Sequence, residues 1–216
     1  MKRVFKIFGA LILSVVIFSC SPVKVVNVWN SNKPINVQNK NVLVVTKVDD
    51  HVQRVQFETD LVQHLKLADA KASESFKMLS NKELSQKLEG EALKTVKEKL
   101  RSEDVELVVL TALKSVEEYV QTNTSSGTNV HMYGHPWYYR GYGFYGYYNS
   151  FYINSTPISS VTSTNKKYIL ETVTYDLTLP DEEQLVSVIT TQVDNPETLG
   201  AMSKEFSKNI SKIIVG

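Results

Sequence analysis

The densest group of chemically capable side chains is Asp49, Asp50, His51, Arg54 and Glu58, which follow an apolar run and open a helical pattern. In sheets with parallel strands, ligands bind beyond the carboxyl ends of the strands. Carboxylates, an imidazole and a guanidinium gathered there could run acid–base chemistry or hold a cation. A hydrolase or transferase site would therefore sit near Asp50 and Arg54. A structural role suits the same residues and is the expected one. Asp49 or Asp50 is a natural helix cap. Arg54 and Glu58 are i,i+4 partners, the usual geometry of a surface ion pair.

His131 and His135 form a second candidate, in the run HMYGH. On a helix, this spacing would aim two imidazoles at one metal ion. Gly134 and Pro136 oppose a helix there, and no Asp or Glu lies nearby to complete a site. Metal binding through this pair is thus an alternative reading, and two loop histidines are expected. No GxxxxGK[ST], strand-associated GxGxxG or GxSxG occurs, so phosphate-cradle and serine-elbow chemistry have no sequence support. No cofactor is expected.

Aromatic residues supply a third candidate. Residues 122–165 carry one charged side chain, Arg140, together with eight of the 11 tyrosines and five of the nine glycines. Rings with polar tips suit surfaces that are apolar on one side and wet on the other. Trp137, Tyr138, Tyr139, Tyr142, Phe144, Tyr145, Tyr147 and Tyr148 are therefore the expected partner-binding residues. A low-complexity loop without a binding role remains open beside that reading. The segment shows no periodic core positions, so deletion of 127–155 is expected to leave the domain folded.

Cys20 is the only cysteine. Lys2, Arg3 and Lys6 precede an uncharged apolar stretch from Ile7 to Phe18, and small Ser19 stands before the cysteine. The stretch is shorter than the roughly 20 residues a membrane-spanning helix needs, and it fits an export signal. The run Ile17-Phe18-Ser19-Cys20 resembles the lipobox of bacterial lipoproteins. That resemblance implies cleavage before Cys20 and acylation of its thiol and new amino terminus. Ser21, in place of the Asp that retains enteric lipoproteins in the inner membrane, implies the outer membrane. Residues 1–19 are thus the expected signal peptide, and the expected partner is a membrane held through the N-terminal lipid.

Without Lys2, Arg3 and Lys6 the chain holds 21 basic against 23 acidic residues, so nucleic-acid binding has no electrostatic support. With its cysteine acylated it can form no disulfide, and its stability must come from its core.

The elements that position these groups can be read from periodicity. Residues 20–40 look like a lipidated cysteine and a polar tether, reaching at most roughly 70 Å if extended. Val25, Val26, Val28 and Trp29 could instead add an edge strand. NVLVVTK, Asn41 to Lys47, is a strand buried on both faces. A helix follows Asp50, with Val55, Leu61, Val62 and Leu65 on one face. Asp69 to Phe76 reads as a short strand. Ser80-Asn81-Lys82-Glu83 fits a capping box, and Leu84, Leu88, Ala92, Val96 and Leu100 predict one helix over 82–101. Val105 to Leu113 is a strand that could continue to Gln121. Lys167–Leu179 and Gln184–Val193 form a hairpin about Pro180-Asp181. A last helix opens at Pro196 with Asn195 as its cap, and carries Leu199, Met202, Phe206, Ile210, Ile213 and Ile214.

The expected fold is a single α/β domain over 41–216. Its sheet is mixed, in the order β-α-β-α-β-(aromatic insert)-β-β-α. This order, the insert Tyr133–Tyr152 and the closing hairpin and helix resemble a group of uncharacterised envelope lipoproteins. They are also similar to small domains of the TolB N-terminal and curli-secretion type. The resemblance brings no catalytic residues, and the expected function is a lipid-anchored, non-enzymatic envelope component that binds a protein or glycan partner through the aromatic insert.

Overall fold

The computed structural model describes residues 22–85, 87–119, 143–150, 165–194, 196 and 198–216. Among them lie six strands and five α-helices. These are β1 (Val23–Asn30), β2 (Asn41–Lys47), α1 (His51–Lys66), β3 (Lys71–Glu74), α2 (Asn81–Ser85), α3 (Gly90–Ser102), β4 (Leu107–Tyr119), α4 (Gly143–Ser150), β5 (Asn165–Asp176), β6 (Leu185–Asp194) and α5 (Leu199–Val215). The strands form one mixed sheet in the order β1-β6-β5-β4-β2-β3. The pairs β4–β2 and β2–β3 are parallel, and β1–β6, β6–β5 and β5–β4 are antiparallel. This is the mixed α/β domain read from the sequence.

Alternation along β2 sorts the core into two layers. Val42 and Val44 face one side of the sheet, where α1 supplies Phe57, Leu61, Val62 and Leu65 and α5 supplies Met202, Phe206, Ile210 and Ile214. Phe57 and Phe206 meet edge to face, with ring centroids 5.3 Å apart. Leu43 and Val45 face the other side, under Leu84, Leu88, Val96 and Leu100. Both faces are covered, which is why NVLVVTK is apolar without alternation.

Three local expectations need correction. Residues 82–101 are not one helix, because α2 ends at Ser85 and α3 restarts at Gly90. Gly90 takes φ +52°, a left-handed backbone that cannot continue an α-helix and that glycine adopts at little cost. Leu84 and Leu88 remain buried on either side of the break. The last helix is capped by Thr198, whose side chain accepts from the Ala201 N–H at 3.2 Å, rather than by Asn195. Pro196 therefore lies in the lead-in to that helix. Residues Asp69 to Phe76 divide into β3 and a short 3₁₀ turn, Ser75–Lys77. The capping box itself forms as read. Ser80 N–H and Oγ both meet Glu83 Oε2 at 2.8 Å, and Glu83 N–H returns to Ser80 Oγ at 3.3 Å.

Val25, Val26, Val28 and Trp29 lie in β1, which pairs along β6 from Val23–Val193 to Asn30–Ser187. Among the described residues, the sheet thus begins three positions after Cys20. At the same end, β4 and β5 run on together to Tyr119–Asn165.

Candidate functional site

Arg54 and Glu58 stand one helical turn apart on the inner face of α1. Arg54 Nε donates to Glu58 Oε1 at 3.0 Å, and the two side chains are 1% and 0% exposed. The expected surface ion pair is therefore a buried one. It lies on the inner face because this turn of α1 packs over the ends of β2 and β3, and local spacing cannot reveal that.

Both oxygens of the carboxylate are engaged. Glu58 Oε1 also accepts from the Thr46 N–H at 3.0 Å and from Ser75 Oγ at 2.7 Å, and Oε2 accepts from the Phe76 N–H at 2.9 Å. Arg54 Nη1 donates to Asn81 Oδ1 at 2.8 Å. Its Nη2 donates to Ser75 Oγ at 2.8 Å and to the Leu79 carbonyl at 2.9 Å. The pair thus ties α1 to the end of β2, the 3₁₀ turn and the start of α2. Satisfaction of this kind is what lets a desolvated ion pair persist.

The rest of the cluster separates from this pair. Asp49, Asp50 and His51 are exposed. Asp50 caps α1, with Oδ1 accepting from the Val52 and Gln53 N–H groups at 2.7 and 3.1 Å. So Asp50 and Arg54 do not converge on one opening: one is a surface cap, the other a buried tie. His131 and His135 lie outside the described residues. Among those described, no group of three His, Cys, Asp or Glu side chains could hold a metal ion.

The aromatic candidates divide likewise. Trp137, Tyr138, Tyr139 and Tyr142 lie outside the described residues, and Tyr147 and Tyr148 belong to α4. Phe144 is only 2% exposed and belongs to the core beneath α2 and α3, so an exposed binding ring does not hold at this position. Its ring lies 5.8 Å from Tyr175 and 4.9 Å from Tyr145, edge to face in both cases. The Phe144 N–H donates to Gln184 Oε1 at 3.2 Å, while Gln184 Nε2 donates to Leu179 O and Asp181 Oδ1. Gly143 makes this docking possible. It takes φ +56°, and a Cβ there would come within 3.3 Å of Asp181 Cβ.

Tyr145 is half-buried, with Lys97 Nζ 4.7 Å above its ring, a cation–π contact. Burial pushes its hydroxyl up to about 12; Arg101 pulls it down and Asp181 pushes it up. Beside it, Gly90, Leu93, Lys94, Lys97, Glu98 and Arg101 line an open groove of about 310 Å³ along α3.

Sequence reasoning missed a second buried polar group. Lys47, Ala112, Glu171 and Thr190 are successive register partners, forming one row across β2, β4, β5 and β6. Lys47 is 3% exposed and Glu171 is fully buried. Lys114 Nζ donates to Glu171 Oε2 at 2.5 Å from the bulge in β4. Burial lowers the Lys47 ammonium from 10.5 to about 8. The signal was available, since Lys47 ends a strand whose other residues are buried on both faces.

No family model matches the chain. No curated protein sequence matches it either. Among solved structures, it is similar to the PelC dodecamer from Paraburkholderia phytofirmans in two crystal structures. Their identities are 11% and 12% and their TM-scores 0.42 and 0.43, covering 86% and 88% of this chain and 95% and 98% of those. It is also similar to a DUF4136 family protein from Bacteroides thetaiotaomicron, at 11% identity and a TM-score of 0.34, over 88% of this chain and 96% of that one. These are distant likenesses, and nothing about assembly or partners follows from them.

Proposed function

We propose that this chain is a lipid-anchored bacterial envelope lipoprotein, held on the outer membrane through Cys20, that binds or scaffolds a partner rather than catalysing a reaction. The observation that carries the reading is a coincidence of boundaries. The lipobox-like run ends at Cys20, and the first described strand begins at Val23, with Pro22 O accepting from the Asp194 N–H at 2.9 Å. Cleavage before Cys20 would release a signal and leave every described element intact.

Support for a non-catalytic role comes from Arg54 and Glu58. Both are committed to joining α1, β2 and α2, and Asp50 to capping a helix. Residues around α4 are the proposed partner-facing region, with Phe144 as its internal fastening.

The anchor is tested by Cys20→Ala in the native host. The wild type is expected in the membrane fraction and labelled by a fatty-acid analogue, and the variant is expected to lose both. A variant that keeps membrane attachment and label would defeat the reading.

A further inference from the structure

We propose, resting on the anchoring reading above, that the domain stands end-on on the bilayer. The end of the sheet where β1 begins and the β4–β5 pair runs out meets the phospholipid headgroups. The opposite end, with α4 and the β5–β6 turn, is held away in the aqueous compartment.

The length of chain between anchor and fold sets how far the domain can stand from the bilayer. Val23 is 3% exposed and paired with Val193, and Pro22 is bonded to Asp194. Residues 23–30 of the expected tether are therefore taken up by β1. From Val23 back to Cys20 the chain spans roughly 10 Å at most. Acyl chains on Cys20 stay within the bilayer, so Val23 stays near its surface.

Strand register then says what shares that level. Val23 pairs with Val193, Val193 with Tyr168 and Tyr168 with Val116. Beyond that row β4 and β5 continue through Glu117–Lys167 and Glu118–Lys166 to Tyr119–Asn165. Three more residue pairs rise about 10 Å, the span allotted to the chain from Val23 to Cys20. The projecting strand ends and a fully extended chain to Cys20 thus reach the same plane. Charge does not set this arrangement. Lys24 lies 3.3 Å from Asp194 and Lys167 lies 3.6 Å from Glu117, so cations here are matched by carboxylates. The contact is geometric and should be insensitive to salt, unlike a polybasic patch.

The same register places the aromatic helix at the far end. Phe144 packs on Tyr175, and its N–H is held by Gln184, beside the Tyr175–Leu185 pair. Ten strand residues separate Asn165 from Tyr175, a rise of about 33 Å. Tyr145 and the groove of Lys94, Lys97 and Arg101 would therefore meet a partner on the aqueous side, not lipid.

Fluorophores placed by thiol chemistry test this, because acylated Cys20 offers no free thiol. Lys24→Cys lies at the proposed membrane end and Glu182→Cys at the far end; both positions are exposed. The acylated, full mature protein would be reconstituted into phosphatidylcholine vesicles bearing a headgroup spin label. Loss of most fluorescence at position 24, with retention at 182, is the expected result. A Gly-Ser spacer of about ten residues inserted before Pro22 should erase that difference by restoring a slack tether. Equal quenching of both positions in acylated protein would overturn the orientation while leaving the anchor standing. Protein that carries no acyl chain and never joins the vesicles would overturn the anchor, and the orientation with it.

Discussion

Ser75 Oγ stands between Arg54 and Glu58, accepting from Arg54 Nη2 at 2.8 Å and donating to Glu58 Oε1 at 2.7 Å. One hydroxyl thus closes a ring of hydrogen bonds around a desolvated ion pair. Removing either charge leaves the other buried without its counter-ion, at a cost of about 3–5 kcal/mol. Glu58→Leu should cost more than Arg54→Met, because it also strands the Thr46 and Phe76 N–H groups. Urea unfolding midpoints would measure both. A loss under about 1 kcal/mol, typical of surface pairs, would contradict the buried network.

Asp50 and Asp49 give a sharper contrast than their adjacency suggests. Only Asp50 accepts from the Val52 and Gln53 N–H groups. Asp50→Ala should destabilise the domain by about 1 kcal/mol, and Asp49→Ala by a few tenths at most. Equal losses at the two positions would argue against a specific cap.

Lys47 makes stability depend on pH. Its ammonium falls from 10.5 in the unfolded chain to about 8 in the fold, through burial. Between those values the unfolded chain binds the additional proton, so stability rises with pH across that window. Below about pH 8 both forms are charged, and Lys47 adds no further pH dependence. Lys47→Met is therefore expected to lose this dependence, so that the gap between wild type and variant shifts in favour of the wild type from about pH 8 to pH 10. Denaturation midpoints along that range would show it; a gap that does not change with pH would exclude Lys47 as its source.

Phe144 decides whether the aromatic segment is an appendage. It fills the core beside Tyr175, so Phe144→Ala should cost about 3–5 kcal/mol. Deletion of 127–155 should likewise lower the unfolding midpoint rather than leave it unchanged. A deletion as stable as the wild type would restore the appendage view.

How much of this was legible follows from where the deciding information lies. Asn41–Lys47 was readable because its doubly buried centre, Val42–Val45, is apolar without alternation, and Ser80–Glu83 because a capping box is complete within four residues. Burial of Arg54 was not, because it depends on Ser75, Leu79 and Asn81, which no helical period connects to it. The biased composition of 122–165 likewise hid Phe144. One core ring among many aromatics has no local mark, and its partners Tyr175 and Gln184 lie in the following hairpin. Gly90 is visible in the sequence, but apolar spacing on both sides of it also fits one helix. For the candidate site, residue types were legible and their grouping was not.

The central claim is that the mature protein begins at an acylated Cys20. Intact and N-terminal peptide masses of protein extracted from the membrane test it most directly. The expected result is a chain that starts at Cys20 and carries the mass of attached acyl groups, with residues 1–19 absent. A chain that retains Met1, or starts elsewhere with an unmodified Cys20, would contradict it.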